Sequence, residues 1–449
     1  VALSPDRPAL ADNLLHVAMM AALEACDLDT VESLSARLPD MVAKGRIVPP
    51  FILLLASADP QLQLRNARHL TAQRFAAQPS LSARQAYGHD RIRLAYISSD
   101  FNNHAVAGQI AALIETHDRS RFQVIAISTG ADDGSALRRR LMTGFDRFED
   151  VRGKDAAAIA ALICQMEVDL LVDLNGHTEH DNLEVLSRRP APAQVTWLGF
   201  AGTTGAPFVD AIVADPVVAP DRDDFSEKLY LLPDTFFPTD PAREIGQAPS
   251  HADAGLPPDG FVFASFNRHW KITAPVFACW IRILAAVPGS VLWLKEPNMA
   301  ARRSLEERAA AAEIDPARLV FAPPLPLESH LARQQLAGLF LDTFPYTGHA
   351  TACDALWAGL PVLTRMGRTY AARVSAGLLQ TVGLQEMVVE TPADYERLAI
   401  ALAQDAPRLA DLRARLAEAR NRSALFDTAR FARNIEAVYE KILADRISE

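Results

Sequence analysis

The sequence predicts an α/β protein in which two Rossmann-like domains face a cleft and an all-α helical segment precedes them. Residues up to about 88 show helical periodicity without strand-like runs. Beyond them, short apolar runs alternate with helical stretches in two series, which is typical of parallel sheets covered on both faces. A stretch rich in Pro, Gly, Asp and Ser separates the series. The predicted organisation is a helical segment at 1–88, a first Rossmann-like domain at 89–240, a linker at 241–259, and a second Rossmann-like domain with closing C-terminal helices at 260–449.

The composition of the chain is that of a folded protein with more than one domain. Its 449 residues are 49% hydrophobic and 22% charged, so a large core can form. The formal net charge is −10 and there is no dense Lys/Arg tract, which argues against a nucleic-acid partner. The four cysteines lie far apart in apolar surroundings, as expected for reduced thiols rather than disulfides or a zinc site. No apolar run reaches the roughly 18 residues that cross a bilayer and no signal peptide is seen, so we expect a cytoplasmic protein without a membrane partner.

The first segment is predicted to be helical throughout. In "ADNLLHVAMMAALEACDLDTVESLSARL" and "DPQLQLRNARHLTAQRF", apolar residues recur three and four positions apart. This spacing predicts antiparallel helix pairs, which are the building units of helical repeat arrays. We therefore interpret the segment as the possible end of such an array.

In the first Rossmann-like domain, the loops that follow strands are the candidate sites. The runs "RIRLAYISS", "FQVIAIS" and "DLLVDLNG" alternate with the helical "GQIAALIETHD" and "DAAAIAALICQME". Ligands of doubly wound sheets bind beyond the carboxyl ends of the strands. His104 follows the strand at 92–98 and, because histidine changes charge near neutral pH, could act as a base or contact phosphates. A lone loop histidine more often does neither, so a structural role stays open.

A polar cluster ends a later strand of the same domain. Asp173, Asn175, His177 and Thr178 follow "DLLV" and suit hydrogen bonding to a sugar. With the adjacent "EHD" turn, His177 would also suit a metal ion. A turn rich in polar residues explains this grouping equally well, and we expect no metal.

In the second domain, the stretch "LFLDTFPYTGHATACDALWAGLPVLTR" predicts a strand, a loop, a helix and a strand. The first-turn N–H groups of that helix have no intrahelical partner and carry the positive end of the dipole, which suits a diphosphate. Gly348 permits close approach of the backbone, His349 and Thr351 offer donors, and Asp354 could accept hydrogen bonds from ribose hydroxyls. From spacing alone, an ordinary helix cap is an equally good interpretation.

Lys271 lies just before a helix capped by Thr273 and adds a cation to a helix N-terminus. In nucleotide-sugar chemistry such a cation stabilises the departing diphosphate, although a surface lysine explains this residue better when it is taken alone. No GxGxxG follows a strand, and neither a P-loop lysine motif nor a GxSxG elbow occurs. Dehydrogenase, P-loop ATPase and α/β-hydrolase functions are therefore disfavoured.

Several long motifs resemble the catalytic region of protein O-GlcNAc transferases, and most closely their bacterial homologues. They include "SSDFNNHAVAG", "DLNGHT", "FNRHWKITAPVFACWIRILAAVPGSVLWL" and "LDTFPYTGHATACDALWAGLPVLTRMGRTYAARV", and the resemblance covers residues 91 to about 445 in the family's order. It implies a GT-B fold, UDP-GlcNAc as donor, inversion at the anomeric carbon and no metal or other cofactor. It also implies that the first segment is TPR-like, and that the insert carried by animal members is absent from the short linker.

Site residues carried over from the family fall on matching positions of this chain. His104 corresponds to a histidine near the donor phosphates that is a base candidate, and Lys271 to a lysine that stabilises the leaving UDP. Thr178 falls near the sugar and the acceptor, beside Asn175 and His177. UDP and donor binding falls on Arg268, His330, Arg333, Gly348, His349, Ala350, Thr351 and Asp354.

Three positions depart from the family's pattern. Arg268 replaces a glutamine beside the phosphates, Ala350 replaces one threonine of a pair, and Leu327 replaces a lysine near the uracil. These changes bear on donor affinity and on the choice of sugar. His104 and Lys271, the residues expected to carry the chemistry, are unchanged.

The function predicted from these observations is an inverting, metal-independent transfer of GlcNAc from UDP-GlcNAc to Ser or Thr hydroxyls of proteins. Its partners would be a UDP-sugar and a protein or peptide acceptor. His104, Asp173 or an oxygen of the donor phosphate would take the hydroxyl proton. The alternatives are a related enzyme that uses UDP-glucose or an Asn acceptor, and a non-catalytic helical-repeat scaffold with a vestigial transferase fold. A nucleotide-sugar epimerase is a weaker alternative.

Overall fold

Two parallel β-sheets organise the chain. The computed structural model describes residues 8–76, 78–82 and 87–448. Their contacts divide the chain into two units, each built around one sheet. The first-sheet unit comprises Gln61–Ala242 and the chain from Arg422 onward, and the second-sheet unit comprises Arg243–Asn421 together with the chain up to Pro60.

The amino-terminal segment is all-α over its described residues, as predicted. Most of its helices bury one apolar face; Met19, Val42 and Leu53, for example, are at most 1% exposed. Asp27 caps the second helix by accepting a hydrogen bond from the N–H of Thr30. The helices are α1 (Pro8–Ala25), α2 (Leu28–Ser35), α3 (Leu38–Ala43), α4 (Pro50–Ala56) and α5 (Pro60–Arg74).

The first sheet has seven parallel strands in the order β3-β2-β1-β4-β5-β6-β7. The central strands are buried on both faces, which explains why they read as continuous apolar runs. Strand order reverses between β1 and β4, so the loops after these two strands form the switch point of the sheet. The strands are β1 (Ile92–Ser98), β2 (Phe122–Ser128), β3 (Arg147–Asp150), β4 (Leu170–Asp173), β5 (Ala193–Thr196), β6 (Ala211–Ala214) and β7 (Lys228–Leu231). The helices are α6 (Ala105–Thr116), α7 (Ala136–Gly144), α8 (Ala156–Gln165) and α9 (Leu183–Ser187).

The second sheet has six strands in the order β10-β9-β8-β11-β12-β13. Its switch point lies between β8 and β11, where the strand order reverses. The strands are β8 (Val262–Ser265), β9 (Val291–Lys295), β10 (Leu319–Ala322), β11 (Leu339–Leu341), β12 (Val362–Arg365) and β13 (Val388–Val389). The helices are α10 (Ala274–Ala286), α11 (Met299–Ala311), α12 (Leu327–Arg333), α13 (Ala350–Trp357), α14 (Val374–Thr381), α15 (Pro392–Ala403) and α16 (Ala406–Arg422).

The last helix, α17 (Thr428–Ser448), belongs to the first-sheet unit, whereas the predicted boundary assigned it to the second Rossmann-like domain. Its buried Glu436 accepts a 2.8 Å hydrogen bond from His117 Nδ1, and Phe431 stacks on Trp197 with ring centroids 5.9 Å apart. The predicted helical segment at 1–88 is also divided, because the residues after Pro60 join the first-sheet unit. Periodicity reveals a buried helix face but not the surface that covers it, so the sequence could not assign these helices.

No helix in the described part of the chain is both long enough and apolar enough to span a membrane.

Candidate functional site

At the switch point of the second sheet, a hydrogen-bond network joins the loops that follow β8 and β11. Asn267 Nδ2 donates to Asp342 Oδ1 and to Thr343 Oγ1, both at 3.0 Å, and Asn267 Oδ1 accepts from Thr351 Oγ1. Asp342 Oδ1 also accepts a 2.6 Å hydrogen bond from the N–H of Gly348. The predicted residues Gly348 and Thr351 are therefore brought together with Asn267 and Asp342, which sequence reasoning missed. Their position directly after strands was the available signal.

Asp342 holds the loop that leads into α13. Its side chain is completely buried and burial raises its pKa, while hydrogen bonds from the loop oppose that rise. Space favours Gly348 here, because a Cβ atom would lie 3.0 Å from Asp342 Oδ1 and 3.0 Å from Thr351 Oγ1, closer than most Cβ contacts. The backbone of the predicted anion loop is thus fixed from inside the protein.

Lys271 reaches this loop from the segment after β8. Its Nζ donates a 2.8 Å hydrogen bond to the carbonyl oxygen of Thr347 and lies 3.7 Å from the centroid of the Tyr346 ring. Burial lowers the pKa of Lys271 to about 7, and the charge of Asp342 opposes that shift. Among the described residues, no carboxylate forms an ion pair with Lys271. The ammonium is consequently poised to gain an anionic partner.

His349 precedes α13 and is neutral in this environment. Burial is the main cause that lowers its pKa well below the usual value, and the charge of Lys271 lowers it further. Its Nε2–H donates to the carbonyl oxygen of Ala371 at 3.2 Å, and its ring lies 4.8 Å from that of Tyr346. The ring N–H of His349, which we predicted to bind a ligand, therefore donates its hydrogen bond within the protein. The N–H groups of the first turn of α13, from Ala350 onward, have no intrahelical partners.

Asp354, expected to accept from ribose, is paired with Arg243. Arg243 Nη1 donates to Asp354 Oδ1 at 2.6 Å, and its guanidinium lies 5.3 Å from the centroid of the Trp357 ring. Burial raises the pKa of Asp354, and the Arg243 charge counteracts that rise. Arg243 lies in the predicted linker, where composition gives no signal of a site, so sequence reasoning missed it.

A cluster of cations lines the same edge of the second sheet. Arg333 donates from Nε and Nη2 to His330 Nδ1 at 3.0 and 2.8 Å. Burial lowers the pKa of His330 to about 3, assisted by Arg333 and Lys295, so the ring is neutral. The pKa of Lys295 is lowered by burial and then by Arg268 and Arg333. Within the described ranges, none of these three cations pairs with a carboxylate, so a bound anion would relieve their mutual repulsion.

The sequence predicted His330, Arg333 and Arg268 at this cluster but missed Lys295, the last residue of β9. Leu327, which replaces a family lysine, begins α12 and is 48% exposed. The position of Lys295 at the carboxyl end of a strand was a usable signal, because ligand-binding residues concentrate there.

At the switch point of the first sheet, Asn175 organises the loops after β1 and β4. Its Oδ1 accepts from the N–H of Ser99 at 3.0 Å, and its Nδ2 donates to Asp100 Oδ2 at 3.1 Å and to Thr178 Oγ1 at 3.2 Å. Asn175 is completely buried. Its amide therefore makes hydrogen bonds within the protein, and Thr178 is the most accessible of the three predicted sugar-side residues, Asn175, His177 and Thr178.

Asp173, a predicted base candidate, is also completely buried. Its carboxylate accepts hydrogen bonds from the N–H groups of Asn175 at 3.2 Å and Gly176 at 2.7 Å. Burial raises its pKa to about 7, against these two hydrogen bonds. In this arrangement Asp173 shapes the turn that carries Asn175.

His104 is the N-cap residue of α6. Its Nδ1 accepts from the N–H of Val106 at 3.3 Å and lies 3.6 Å from Asp100 Oδ2. The side chain is 48% exposed. Because a backbone N–H can only donate, a neutral His104 ring carries its proton on Nε2, and that nitrogen is a donor.

His177 is buried and points away from solvent. Its Nε2 lies 2.6 Å from the carbonyl oxygen of Thr204, its ring packs edge-on to Phe200, and burial lowers its pKa. Asp181 pairs with Arg74 at 2.5 Å. Over the residues with described side chains, no group of three or more His, Cys, Asp or Glu is arranged to hold a metal ion. Arg74, Asp181 and His180 instead line a cavity of about 450 Å³.

Comparison with known proteins identifies this type of chain. The family model for glycosyl transferase family 41 matches residues 73–247 and 242–435. A curated relative from Arabidopsis thaliana, the probable UDP-N-acetylglucosamine–peptide N-acetylglucosaminyltransferase SEC, is 34% identical over 415 residues, which are 88% of this chain and 42% of that protein. The UDP-N-acetylglucosamine–peptide N-acetylglucosaminyltransferase of Caenorhabditis elegans is 29% identical over 77% of this chain and 40% of its own length. The chain thus spans about two fifths of these relatives.

Solved structures confirm the predicted fold class. An O-GlcNAc transferase mutant from Thermobaculum terrenum superposes with a TM-score of 0.86 and 28% identity, covering 97% of this chain and 85% of that chain. Anabaena HepE, solved with UDP and glucose, gives a TM-score of 0.54 at 12% identity, which shows a shared fold alone. Two Rossmann-like domains of the GT-B type, preceded by a helical segment, are therefore present.

Proposed function

The chain belongs to glycosyl transferase family 41, and from this premise we propose that it transfers GlcNAc from UDP-GlcNAc to Ser or Thr hydroxyls of proteins. The observation that carries the proposal is Lys271, whose ammonium is held at Thr347 beside the loop into α13 without a carboxylate partner in the described structure. A half-buried cation next to a helix N-terminus is an arrangement that favours a diphosphate.

The donor would bind along the carboxyl edge of the second sheet. Its diphosphate would accept hydrogen bonds from the first-turn N–H groups of α13 and from Lys271, and Thr351 would add a hydroxyl. The cations Arg268, Lys295 and Arg333 support binding of the same polyanion, because Arg268 and Arg333 lie close enough to Lys295 to lower its pKa further after burial has lowered it. His330, kept neutral mainly by burial and further by Arg333, would present its Nε2–H to the nucleoside.

The reaction would be a single displacement. The acceptor oxygen forms a bond to the anomeric carbon of GlcNAc while the bond from that carbon to the β-phosphate oxygen breaks, so the configuration inverts. UDP departs with the bonding electrons, and Lys271 with the α13 N-terminus would stabilise the charge that develops on it. This positive charge supports a reaction that needs no metal ion.

The hydroxyl proton must pass to a base, and the structure bears on the three candidates. Asp173 is buried and holds a turn. His104 uses Nδ1 as an acceptor for the N–H of Val106, so its exposed nitrogen is a donor in the neutral ring. These contacts support an oxygen of the donor's own phosphate as the proton acceptor, and they suit His104 to hydrogen bonding with an anion.

Calorimetric titration with UDP-GlcNAc, UDP-glucose and UDP, each with and without EDTA, tests the proposal. We expect tight UDP binding that EDTA leaves unchanged and that weakens strongly in Lys271→Ala. Lys44→Ala is the matched control, because Lys44 is exposed and pairs with Asp40 in α3. Absence of UDP binding by the wild-type protein would contradict the proposal and favour the scaffold alternative.

A related transfer from UDP-glucose is the second candidate function. Arg268 and the exposed Leu327 favour it, since both depart from the family's pattern on the donor side. Tighter binding of UDP-glucose than of UDP-GlcNAc would select this candidate, and the reverse ranking would exclude it. The alternative of transfer to asparagine is tested by identifying the acceptor residue that carries the sugar in the product.

A further inference from the structure

The helices before Pro60 contact the segment that carries Lys271. Glu24 Oε2 lies 3.1 Å from His269 Nε2, and the Cys26 thiol donates to the carbonyl oxygen of His269 at 3.5 Å. Asn298 Nδ2 donates to the carbonyl oxygen of Glu24 at 2.7 Å. The end of α1 and the residue after it are therefore joined to the short helical turn His269–Lys271 by two polar contacts, both at His269, and to Asn298 by a third.

Phe51, at the start of α4, adds a contact with two aromatic rings. Its ring centroid lies 5.9 Å from that of Trp270 with the rings almost perpendicular at 87°, and 6.4 Å from that of Tyr346 at 66°. Both are edge-to-face arrangements, in which the positive edge of one ring meets the negative face of another. Phe51 is half-buried and bridges the loop after β8 to the loop after β11.

These two rings flank Lys271. Trp270 is its neighbour in the chain, and its ring lies 5.2 Å from the Arg268 guanidinium. Tyr346 places its ring 3.7 Å from Lys271 Nζ, and the next residue, Thr347, accepts the hydrogen bond from that ammonium. In the described part of the chain, Lys271 is held by these groups and the backbone, so its position depends on how the two loops are spaced. Phe51 is the side chain of the helical segment whose ring contacts both loops.

We propose that Phe51 is a positioning residue for Lys271, and that the amino-terminal helical segment thereby controls stabilisation of the leaving UDP. This inference rests on the proposed function, and it adds that the helices before Pro60 take part in the chemistry of the donor site. Removal of the Phe51 ring would leave Trp270 and Tyr346 free to shift. The ammonium would then lie off the position where charge develops, and displacements of about 1 Å are known to cost up to roughly a hundredfold in rate.

Release of UDP from UDP-GlcNAc, with water as the acceptor, gives a readout that needs no protein substrate. For Phe51→Ala we expect kcat to fall at least about tenfold while KM for UDP-GlcNAc changes less than about threefold, because a displaced ammonium still attracts the bound diphosphate but no longer lies where charge develops. Phe51→Leu, which retains much of the side-chain volume, should have a kcat between those of the wild type and Phe51→Ala. Val42→Ala is the matched control, since Val42 is completely buried in α3 and its loss costs stability alone.

A double-variant cycle separates positioning from general destabilisation. In wild-type background, Phe51→Ala should weaken UDP binding at least about threefold, and in Lys271→Ala background it should have no further effect. The inference would be overturned if Phe51→Ala weakened UDP binding equally in both backgrounds. It would also be overturned if Phe51→Ala kept the wild-type kcat while losing as much thermal stability as Val42→Ala. If wild-type protein fails to bind UDP, the proposed function fails instead, and these two failures are thus distinguishable. Should Phe51→Ala not fold, Phe51→Leu carries the same cycle.

Discussion

Arg243 donates a 2.6 Å hydrogen bond to the carboxylate of Asp354, across 111 positions of sequence. The pair joins the segment that enters the second-sheet unit to the second turn of α13. Both side chains are mostly buried, at 11% and 17% exposed, and Trp357 covers the guanidinium. The helix whose N-terminus would bind the diphosphate is therefore anchored by an ion pair one turn below its start.

Arg243→Ala should destabilise the protein by about 2–4 kcal/mol, because it leaves a buried carboxylate without its cation. UDP affinity should fall as well, since α13 loses its anchor. Thermal unfolding and calorimetry measure the two effects. The double variant Arg243→Ala with Asp354→Asn removes the uncompensated charge and should recover part of the stability. If the single and double variants unfold at the same temperature, the ion pair does not anchor the helix.

Lys271→Ala should abolish UDP release from UDP-GlcNAc while retaining some UDP binding, because the N–H groups of α13 remain in place. Folding should be unimpaired, since the substitution removes a half-buried ammonium that has no carboxylate partner among the described residues. Turnover assays and calorimetry on the same preparation test both statements. An active Lys271→Ala enzyme would exclude the proposed role in stabilising the leaving group.

Affinity for UDP-GlcNAc should decrease as pH rises above about 7. Burial places the pKa of Lys271 at about 7 in the free site, and a bound diphosphate raises it by favouring the ammonium form. Below pH 7 the lysine is already protonated and affinity should be flat. Above it, protonation must accompany binding, and affinity should fall by up to about tenfold per pH unit. UDP-GlcNAc suits the experiment because its diphosphate does not titrate near neutrality.

The groups facing Lys271 do not produce this dependence. His349 is neutral because its pKa lies well below its usual value. Asp342 is buried within its own hydrogen-bond network, and burial lowers the pKa of His330 to about 3. Titration of Lys271→Ala with UDP-GlcNAc over the same pH range is the control, and an unchanged slope in that variant would assign the effect to another group.

Stability of the first-sheet unit should fall between pH 4 and 7 through Asp173. Its pKa is raised by burial from 3.8 to about 7, so in this window the folded protein keeps a proton that the unfolded chain has released. The unfolded state binds fewer protons there, and stability therefore decreases as pH rises, by an amount of roughly 2–4 kcal/mol that is complete above pH 7.

Asp173→Asn removes this titration, so the difference in unfolding temperature between wild type and variant should depend on pH. Between pH 5 and pH 8 the unfolding temperature of the variant should rise relative to that of the wild type. The asparagine retains only one acceptor for the two N–H groups that Asp173 binds, which sets a constant offset between the proteins. A difference that is independent of pH would contradict the raised pKa.

The alternation of strands and helices and the loops that carry the site could be predicted from the sequence. Buried parallel strands are continuous apolar runs, and ligand-binding residues follow their carboxyl ends, so His104, Lys271 and Gly348 could be located before the structure was known. Their placement at the two switch points follows from strand order, which a sequence without an alignment does not reveal. The proposed roles of these residues remain predictions.

Other parts of the site depend on contacts between distant segments. Arg243 lies in a stretch whose composition indicates a linker, and its partner is 111 positions away. Phe51 has the periodicity of an ordinary helix residue, yet it contacts Trp270 and Tyr346. The burial of Asn175 and Asp173 could not be predicted from the sequence either, because polar residues after a strand can face solvent, bind a ligand or form internal hydrogen bonds.

The assignment of α17 to the first-sheet unit bears on how the protein is made. The seven strands of that unit are complete once residue 231 has been synthesised, but the surface that α17 covers stays bare while the entire second sheet is produced. Phe431, Ile435 and Tyr439, all nearly fully buried in the folded unit, are synthesised only with α17, after the whole second sheet. The first-sheet unit is thus completed only after the second sheet has been synthesised, and it carries exposed apolar surface in the interval.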